Sequence, residues 1–244
     1  MSVIEITKES QDELLSLIEA QKKDELLLIL EKLYAADIAE LFDELNLDQA
    51  VFVTTLLEPQ KKVAVLTELD AETKLKFLAG YSNDEIANDF FSYLDSDDAA
   101  DILNSMGTAE GKEILHLIKD KEHSKNIASL LKFPENTAGS LMAKELIKVK
   151  RNWTVKQCTE EIREQAEEVS KVYTAYVVDE YDELVGWVSL KAILLNKEST
   201  KVEKIFNPNI IYENTYSSGE EVANTMQKYD LVALPMVERS NRLV

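Results

Sequence analysis

An acidic cluster is the feature of this sequence that is best suited to chemistry. Asp95, Asp97, Asp98 and Asp101 lie within seven residues, with no basic residue among them. If a helix begins after Ser96, Asp97 and Asp98 occupy its first turn, where the helix dipole stabilises each negative charge by about 0.3–1 kcal/mol. Asp97 and Asp101 then share one face and repel each other. A bound divalent cation would remove this repulsion, and carboxylates suit Mg²⁺ or Ca²⁺. A solvated acidic helix face is the alternative.

The sequence around this cluster predicts a stack of short helices. Apolar residues recur at three- and four-residue spacing in segments such as 62–70 and 97–103, as on one face of a helix. Larger apolar residues also recur roughly every 12 positions, at Leu45, Leu57, Leu69, Leu94, Met106 and Ile118. Helix starts are expected at residues suited to caps or first turns, namely Asp48, Pro59, Asn83-Asp84, Ser96-Asp97 and Thr108.

Short helices of this kind need each other to form a core. Each buries little apolar surface alone, and stacking them side by side builds a continuous core, as in a solenoid. We therefore expect residues 1–133 to form an all-α superhelical stack of short helices, opened by a longer helix from about Lys8 to Tyr34. A solenoid usually binds a partner on an extended face, but architecture alone does not identify the function.

The second part of the chain contains a duplicated β-rich pattern. Residues 175–180, closing with Leu184-Val185, resemble residues 233–238, closing with Leu243-Val244. Each copy has a short apolar run, an acidic and polar turn and a return to apolar residues, which is typical of a hairpin. The predicted strands are 146–150, 173–178, 184–189, 210–213 and 231–237, and the predicted helices are 155–168, 190–195 and 219–229. This β-α-β-β-α order predicts two α+β domains, at 137–200 and 201–244.

Composition limits the classes of function. The formal net charge is −19, of which −15 falls in residues 1–134. Such a surface repels nucleic acid and anionic membranes and attracts cations or basic partners. The single cysteine, Cys158, excludes an internal disulfide, and no apolar run approaches the roughly 20 residues of a membrane helix. We expect a soluble, cytosolic chain. It contains no P-loop, GxSxG or GxGxxG motif, so we do not expect an enzyme.

The order of the parts resembles a known family. The duplicated module is similar to a tandem cystathionine-β-synthase (CBS) pair, a regulatory module that often binds adenine nucleotides. The acidic helix stack with its Asp97–Asp101 segment, the junction Pro134–Met142, and Tyr229-Asp230-Leu231 before Leu234-Pro235 together resemble the MgtE-type magnesium transporters. The resemblance covers essentially the whole chain, and the junction is its most specific part.

The resemblance implies a concrete function. Both parts would lie at the cytosolic face of the membrane, ahead of a transmembrane pore domain, in a homodimer that pairs through its CBS domains. Bound Mg²⁺ would hold the assembly compact and the pore closed. The residues that match metal ligands are Asp97, Asp101, Gly139, through its backbone carbonyl, and Asp230. Val244 lies inside the second hairpin, so we expect the second CBS copy to be incomplete and further ligands to follow it.

A role for adenine nucleotide is less well supported by the sequence. CBS copies that bind nucleotide commonly carry an Asp shortly after the Ser or Thr that follows the third strand, whereas here Ser189 is followed by Leu190, Lys191 and Ala192. The turn at Asn207-Pro208 could face an adenosine or be a plain turn. The alternative functions are therefore a soluble CBS-containing adaptor that responds to adenine nucleotide, or a domain that controls a separate enzyme.

Overall fold

The computed structural model describes residues 8–165 and 174–244. The chain divides into two compact units between Ile127 and Ala128. We call residues up to Ile127 the helical unit and residues from Ala128 the α+β unit. Within the second unit, the first copy is 137–200 and the second copy is 201–244. These two ranges and the range 1–133, which were derived from the sequence as domains, stay predictions.

The helical unit consists of short helices that follow one another closely. A 3₁₀ turn at Phe42–Glu44 and a π-helical segment at Ile86–Phe91 interrupt the series. The α-helices are α1 Lys8–Glu19, α2 Lys23–Leu30, α3 Ala35–Leu41, α4 Leu47–Thr55, α5 Pro59–Glu68, α6 Ala71–Leu78, α7 Asn83–Glu85, α8 Ser96–Ser105, α9 Thr108–Leu117 and α10 Lys121–Leu130, the last of which crosses the boundary between the units.

Local signals explain several of the helix starts that the sequence predicts. The Asn46 side chain accepts a hydrogen bond from the Gln49 amide at 3.0 Å, and the Gln49 side chain accepts one from the Asn46 amide. Pro59 occupies the first position of α5, where its missing N–H costs nothing. The predicted starts at Pro59, Ser96 and Thr108 are confirmed. Asp48 lies one residue inside α4 because Asn46 provides the cap.

The predicted single opening helix from Lys8 to Tyr34 is wrong. α1 ends at Glu19 and α2 begins at Lys23, with Gln21 in the left-handed region at φ 51°. The Lys22 amide bonds to the Leu17 carbonyl at 3.0 Å, which satisfies the end of α1. The break lets both helices turn an apolar face inward, because residues of each are buried: Leu14, Ile18, Leu26 and Leu30.

An aromatic cluster forms part of the core of the helical unit. The Phe77 ring makes edge-to-face contacts with Phe42, Tyr81 and Phe90, with centroid distances of 5.2–5.8 Å. Such pairs contribute about 0.5–1.5 kcal/mol beyond the buried area. The Tyr81 hydroxyl, half-buried, is 2.5 Å from the Thr54 hydroxyl, so its polar end is satisfied. These contacts join the 3₁₀ turn at Phe42–Glu44, α4, α6 and the π-helical segment.

The α+β unit contains two small sheets. β1 (Lys148–Lys150) pairs in parallel with β2 (Ala175–Val178), which pairs antiparallel with β3 (Leu184–Val188). β4 (Glu213–Asn214) pairs in parallel with β5 (Met236–Val237). The helices of this unit are α11 Ala138–Leu141, α12 Val155–Gln165, α13 Leu190–Leu195 and α14 Gly219–Tyr229, and Val202–Lys204 forms a 3₁₀ turn.

The first hairpin and the helices α13 and α14 are confirmed, whereas the strands of the second copy are shorter than predicted. Its hairpin is reduced to a bridge between Val237 and Leu243. The predicted strand 231–237 shrinks to Met236–Val237, partly because Pro235 has no N–H to donate. The predicted strand 210–213 contributes only its last residue, Glu213, to β4, and 146–150 shortens to β1. Residues 166–168 of the predicted helix and Tyr173 lie outside the described residues.

Candidate metal site

The acidic cluster lies at the start of α8. Asp95 is the N-cap residue, and Asp97 and Asp98 occupy the first turn, as predicted. The apolar residues of α8, Ala99, Ile102 and Leu103, are buried, and the helix packs against α6 and α9. The helix dipole therefore favours negative charge at the end where the aspartates lie.

Asp97 has a poorly solvated carboxylate. Its side chain is half-buried, and its Oδ1 atom is buried with no hydrogen-bond partner among the described residues. Burial, and after it the negative charges of Asp98 and Asp95, raise the pKa of the Asp97 carboxyl to about 6. A buried carboxylate oxygen without a hydrogen bond is unfavourable, and a bound cation would offset this cost.

Asp101 completes the acidic face one turn further along α8. Its side chain is exposed, and its pKa is raised by partial burial first and by the charge of Asp98 second, while Lys74 acts in the opposite direction. Asp98 thus acts on both Asp97 and Asp101, although sequence reasoning did not include it among the ligands. The sequence did contain a signal for this role, because Asp98 is adjacent to Asp97 and lies three residues before Asp101 on the same helix.

The other two predicted ligands lie at separate places in the α+β unit. Gly139 is buried in α11, and its amide donates to the Thr215 carbonyl at 2.7 Å, just before α14 begins. Asp230 is exposed at the C-terminal end of α14, in the left-handed region at φ 52°. The eleven residues of α14 span about 16 Å. Gly139 and Asp230 of one chain therefore do not meet at one ion.

The donor set fits a hydrated divalent cation. Among residues 8–165 and 174–244, no group of three or more His, Cys, Asp or Glu side chains is placed to hold a metal ion. Mg²⁺, however, keeps several waters and is usually held by only one or two carboxylates. Asp97 and Asp101, with an orphaned buried oxygen on the first, match that requirement.

The α+β unit also contains a cavity of about 390 Å³. Its walls come from α11, β2, α14 and the segment before β5, and are mostly apolar: Leu141, Met142, Tyr176, Val222, Met226 and Leu234. Sequence reasoning did not locate this cavity because its walls combine residues of both copies.

Ser189, the residue after which nucleotide-binding CBS copies commonly carry an Asp, has a structural role here. It is the N-cap of α13, and its hydroxyl accepts a hydrogen bond from the Ala192 amide at 3.1 Å. On the same short helix, Leu194 and Leu195 are 82% and 74% exposed. Together these two leucines form a small exposed apolar surface on α13.

Comparisons with known proteins give the family. Residues 33–136 match the model of the MgtE intracellular N domain, and residues 138–198 match that of the CBS domain. The magnesium transporter MgtE of Thermus thermophilus is 31% identical over 215 residues, covering 87% of this chain and 48% of that protein. MgtE of Bacillus subtilis is 26% identical, with 87% and 47% covered. These relatives are magnesium transporters rather than enzymes, and the chain spans about half of their length.

Solved structures confirm the predicted fold class of a helical stack followed by an α+β CBS region. A crystal structure of the cytosolic domain of the Mg²⁺ channel MgtE in complex with ATP has a TM-score of 0.86 and 31% identity, and 95% of each chain is covered. The soluble part of a magnesium transporter has a TM-score of 0.85 at 24% identity, covering 97% and 93%. No helix of the described residues is long and apolar enough to cross a membrane. The chain belongs to the MgtE family of magnesium transporters.

Proposed function

We propose that this chain is the Mg²⁺-responsive regulatory part of a magnesium transporter. It would act at the cytoplasmic face of the membrane and control a pore formed by a transmembrane domain of the full-length protein. The observation that carries the proposal is the half-buried Asp97, which lies one turn from Asp101 and whose Oδ1 accepts no hydrogen bond from the residues that the structure describes. The strong negative charge of the first 134 residues and the MgtE relatives support it. Enzymatic activity and nucleic-acid binding are not part of the proposed function.

The aspartates of α8 would supply the sensitivity to metal. At neutral pH the Asp97 carboxylate is mostly charged, because its pKa of about 6 lies below 7. It then bears the costs of burial and of repulsion from Asp98. A divalent cation supplies positive charge at this position. A conformation that holds Asp97 and Asp101 close to further oxygen ligands would therefore gain population as Mg²⁺ rises, by the difference in affinity between the two conformations.

Gly139 and Asp230 stay proposed ligands of this regulatory system. Gly139 contacts the segment just before α14, and Asp230 lies at the C-terminal end of that helix. We therefore assign the two residues to two different ions. The Gly139 carbonyl and the Asp230 carboxylate are both oxygen donors of the kind that Mg²⁺ accepts. Each would be completed by ligands from elsewhere in the full-length assembly.

The proposed homodimer has a candidate contact on α13. The exposed Leu194 and Leu195 would be covered by the CBS region of a second copy of the chain. Leu194→Asp/Leu195→Asp should lower the dimer fraction at least tenfold, because charges in an apolar interface core are unfavourable. Sedimentation velocity measures this fraction, and Leu47→Asp, at a leucine of the helical unit that is 43% exposed, is the control. Equal dimer fractions in all variants would show that α13 is not in the interface.

The decisive experiment measures Mg²⁺ binding by calorimetry and protection of the junction near Asn136 by limited proteolysis. We expect Mg²⁺ to protect the wild type and to protect Asp97→Asn/Asp101→Asn much less. The matched control is Asp24→Asn/Asp48→Asn, which removes two exposed first-turn aspartates of the same unit and the same total charge. If both double variants respond like the wild type, the acidic face of α8 is not the sensor.

A second candidate function is adenine-nucleotide binding in the cavity of the α+β unit. The MgtE relative that was solved with ATP and is 31% identical favours it, as do the volume and apolar lining of the cavity. The alanine at position 192 is an argument against it, because nucleotide-binding CBS copies commonly carry an Asp shortly after the residue equivalent to Ser189. ATP titration separates the alternatives. Binding that is lost in Tyr176→Ala and kept in Tyr181→Ala supports the cavity, and protection by ATP without any response to Mg²⁺ supports the nucleotide-responsive adaptor.

A further inference from the structure

The junction that leads into the first copy is hydrogen-bonded to the second copy. The contacts involve Phe133 and the first residues of the junction Pro134–Met142. The Ala138 amide donates to the Ser217 carbonyl at 2.8 Å, and the Gly139 amide donates to the Thr215 carbonyl at 2.7 Å. In the opposite direction, the Gly219 amide donates to the Asn136 carbonyl at 2.9 Å. The residues that lead into the first copy are therefore hydrogen-bonded to the backbone of the second copy.

Gly139 is required here by close packing of a ring. A Cβ atom at this position would lie 2.5 Å from Cγ and Cδ1 of Phe133, closer than carbon atoms approach. The Phe133 ring thus folds back onto the backbone of the junction that follows it. Asn136, in the left-handed region at φ 61°, makes the turn that brings the two residues together.

A tyrosine of the second copy contacts the same ring, and an arginine of that copy contacts the tyrosine. The rings of Phe133 and Tyr216 meet edge to face, with centroids 5.6 Å apart and an interplanar angle of 65°. The Arg239 guanidinium carbon lies 5.6 Å from the centroid of Tyr216. Edge-to-face pairs and cation–π contacts are both favourable geometries. Phe133, Tyr216 and Arg239 therefore form a continuous series of contacts from the junction to the second hairpin.

We propose that Phe133, Gly139, Tyr216 and Arg239 form a junction anchor that ties the segment leaving the helical unit to the second CBS copy. The junction then moves with the second copy, so a change in the second copy is transmitted to the residues that directly follow α10. This device does not depend on Mg²⁺ or on nucleotide, and it gives Gly139 a packing role whether or not its carbonyl binds a metal ion.

Hydrogen exchange of the whole chain tests the anchor. In Tyr216→Ala, the amides of Ala138, Gly139 and Gly219 should exchange about tenfold faster, because one ring pair and one cation–π contact are lost. Arg239→Ala should give a smaller increase at the same amides, and the double variant should show that the two effects are not additive. Tyr181→Ala, which removes a 70% exposed tyrosine from the turn of the first hairpin, is the matched control.

Two results would overturn the proposal. One is unchanged exchange at these amides in Tyr216→Ala. The other is an increase of the same size at the Val177 amide in the first sheet, since this would mean that Tyr216 supports only global stability. Because the variants keep Gly139 and the core residues, they are expected to fold, and far-ultraviolet circular dichroism verifies this before exchange is measured.

Discussion

Replacing Asp97 with asparagine should stabilise the helical unit and weaken its response to Mg²⁺. The carboxyl has its pKa raised from an ordinary value of 3.8 to about 6, mainly by burial. At 1.36 kcal/mol per tenfold change in the ionisation constant, the shift corresponds to about 3 kcal/mol. The side chain is only half-buried, so we reduce this figure for solvent screening to about 2 kcal/mol. Asparagine has nearly the same shape and avoids the cost of a buried charge.

The pH dependence gives this prediction a distinct signature. Because the folded-state pKa of Asp97 lies above its unfolded value, the native state binds more protons between about pH 4 and pH 6. The contribution of Asp97 to stability therefore falls as pH rises through this window, and the full cost is present above about pH 6. Asp97→Asn should remove this contribution, so the gain over wild type should be near zero at pH 4 and about 2 kcal/mol at pH 7.5.

Denaturant unfolding followed by circular dichroism, with and without Mg²⁺, is the assay. Wild type should gain stability with rising Mg²⁺ as expected for a ligand that binds the native state, and Asp97→Asn should gain much less. Asp48→Asn is the control, because Asp48 also lies in a helix first turn but is exposed. A variant that is less stable than wild type at pH 7.5, or that shows the same difference at pH 4 and pH 7.5, would refute the reasoning.

Three further predictions concern the α+β unit. Thr215 is fully buried, and its hydroxyl has no hydrogen-bond partner among the described residues, so Thr215→Val should leave the free energy of unfolding unchanged or raise it by about 1 kcal/mol; a clear loss in denaturant titration would reveal a hidden partner. Gly186→Ala should lower the free energy of unfolding by about 3 kcal/mol. The φ angle of Gly186 is 157°, and a Cβ atom there would lie 2.3 Å from the Asn207 carbonyl oxygen. A variant as stable as the wild type would contradict this prediction. Burial raises the pKa of the Cys158 thiol to about 11, so alkylation at pH 8 should require unfolding, and rapid labelling of the native chain would contradict its position in the core.

Local signals in the sequence located most helices but misjudged one break and several strands. Pro59 and Ser96 begin α5 and α8 as predicted, because a helix start depends on residues within a few positions of it. The helices α13 and α14 also have the predicted bounds. The break at Gln21 was not predictable from spacing, because the apolar pattern continues through it. The β4 and β5 strands are short because pairing depends on the partner strand, which local propensity does not describe.

For the candidate site, the sequence by itself determined that Asp97 and Asp101 lie one helical turn apart, because a helix start and the 3.6-residue period follow from local hydrogen bonding. The tertiary structure alone decided that an oxygen of Asp97 is buried. It also decided that Gly139 makes room for the Phe133 ring and that Asp230 lies at the far end of α14. Burial and long-range packing depend on residues far apart in the chain, which no short pattern contains.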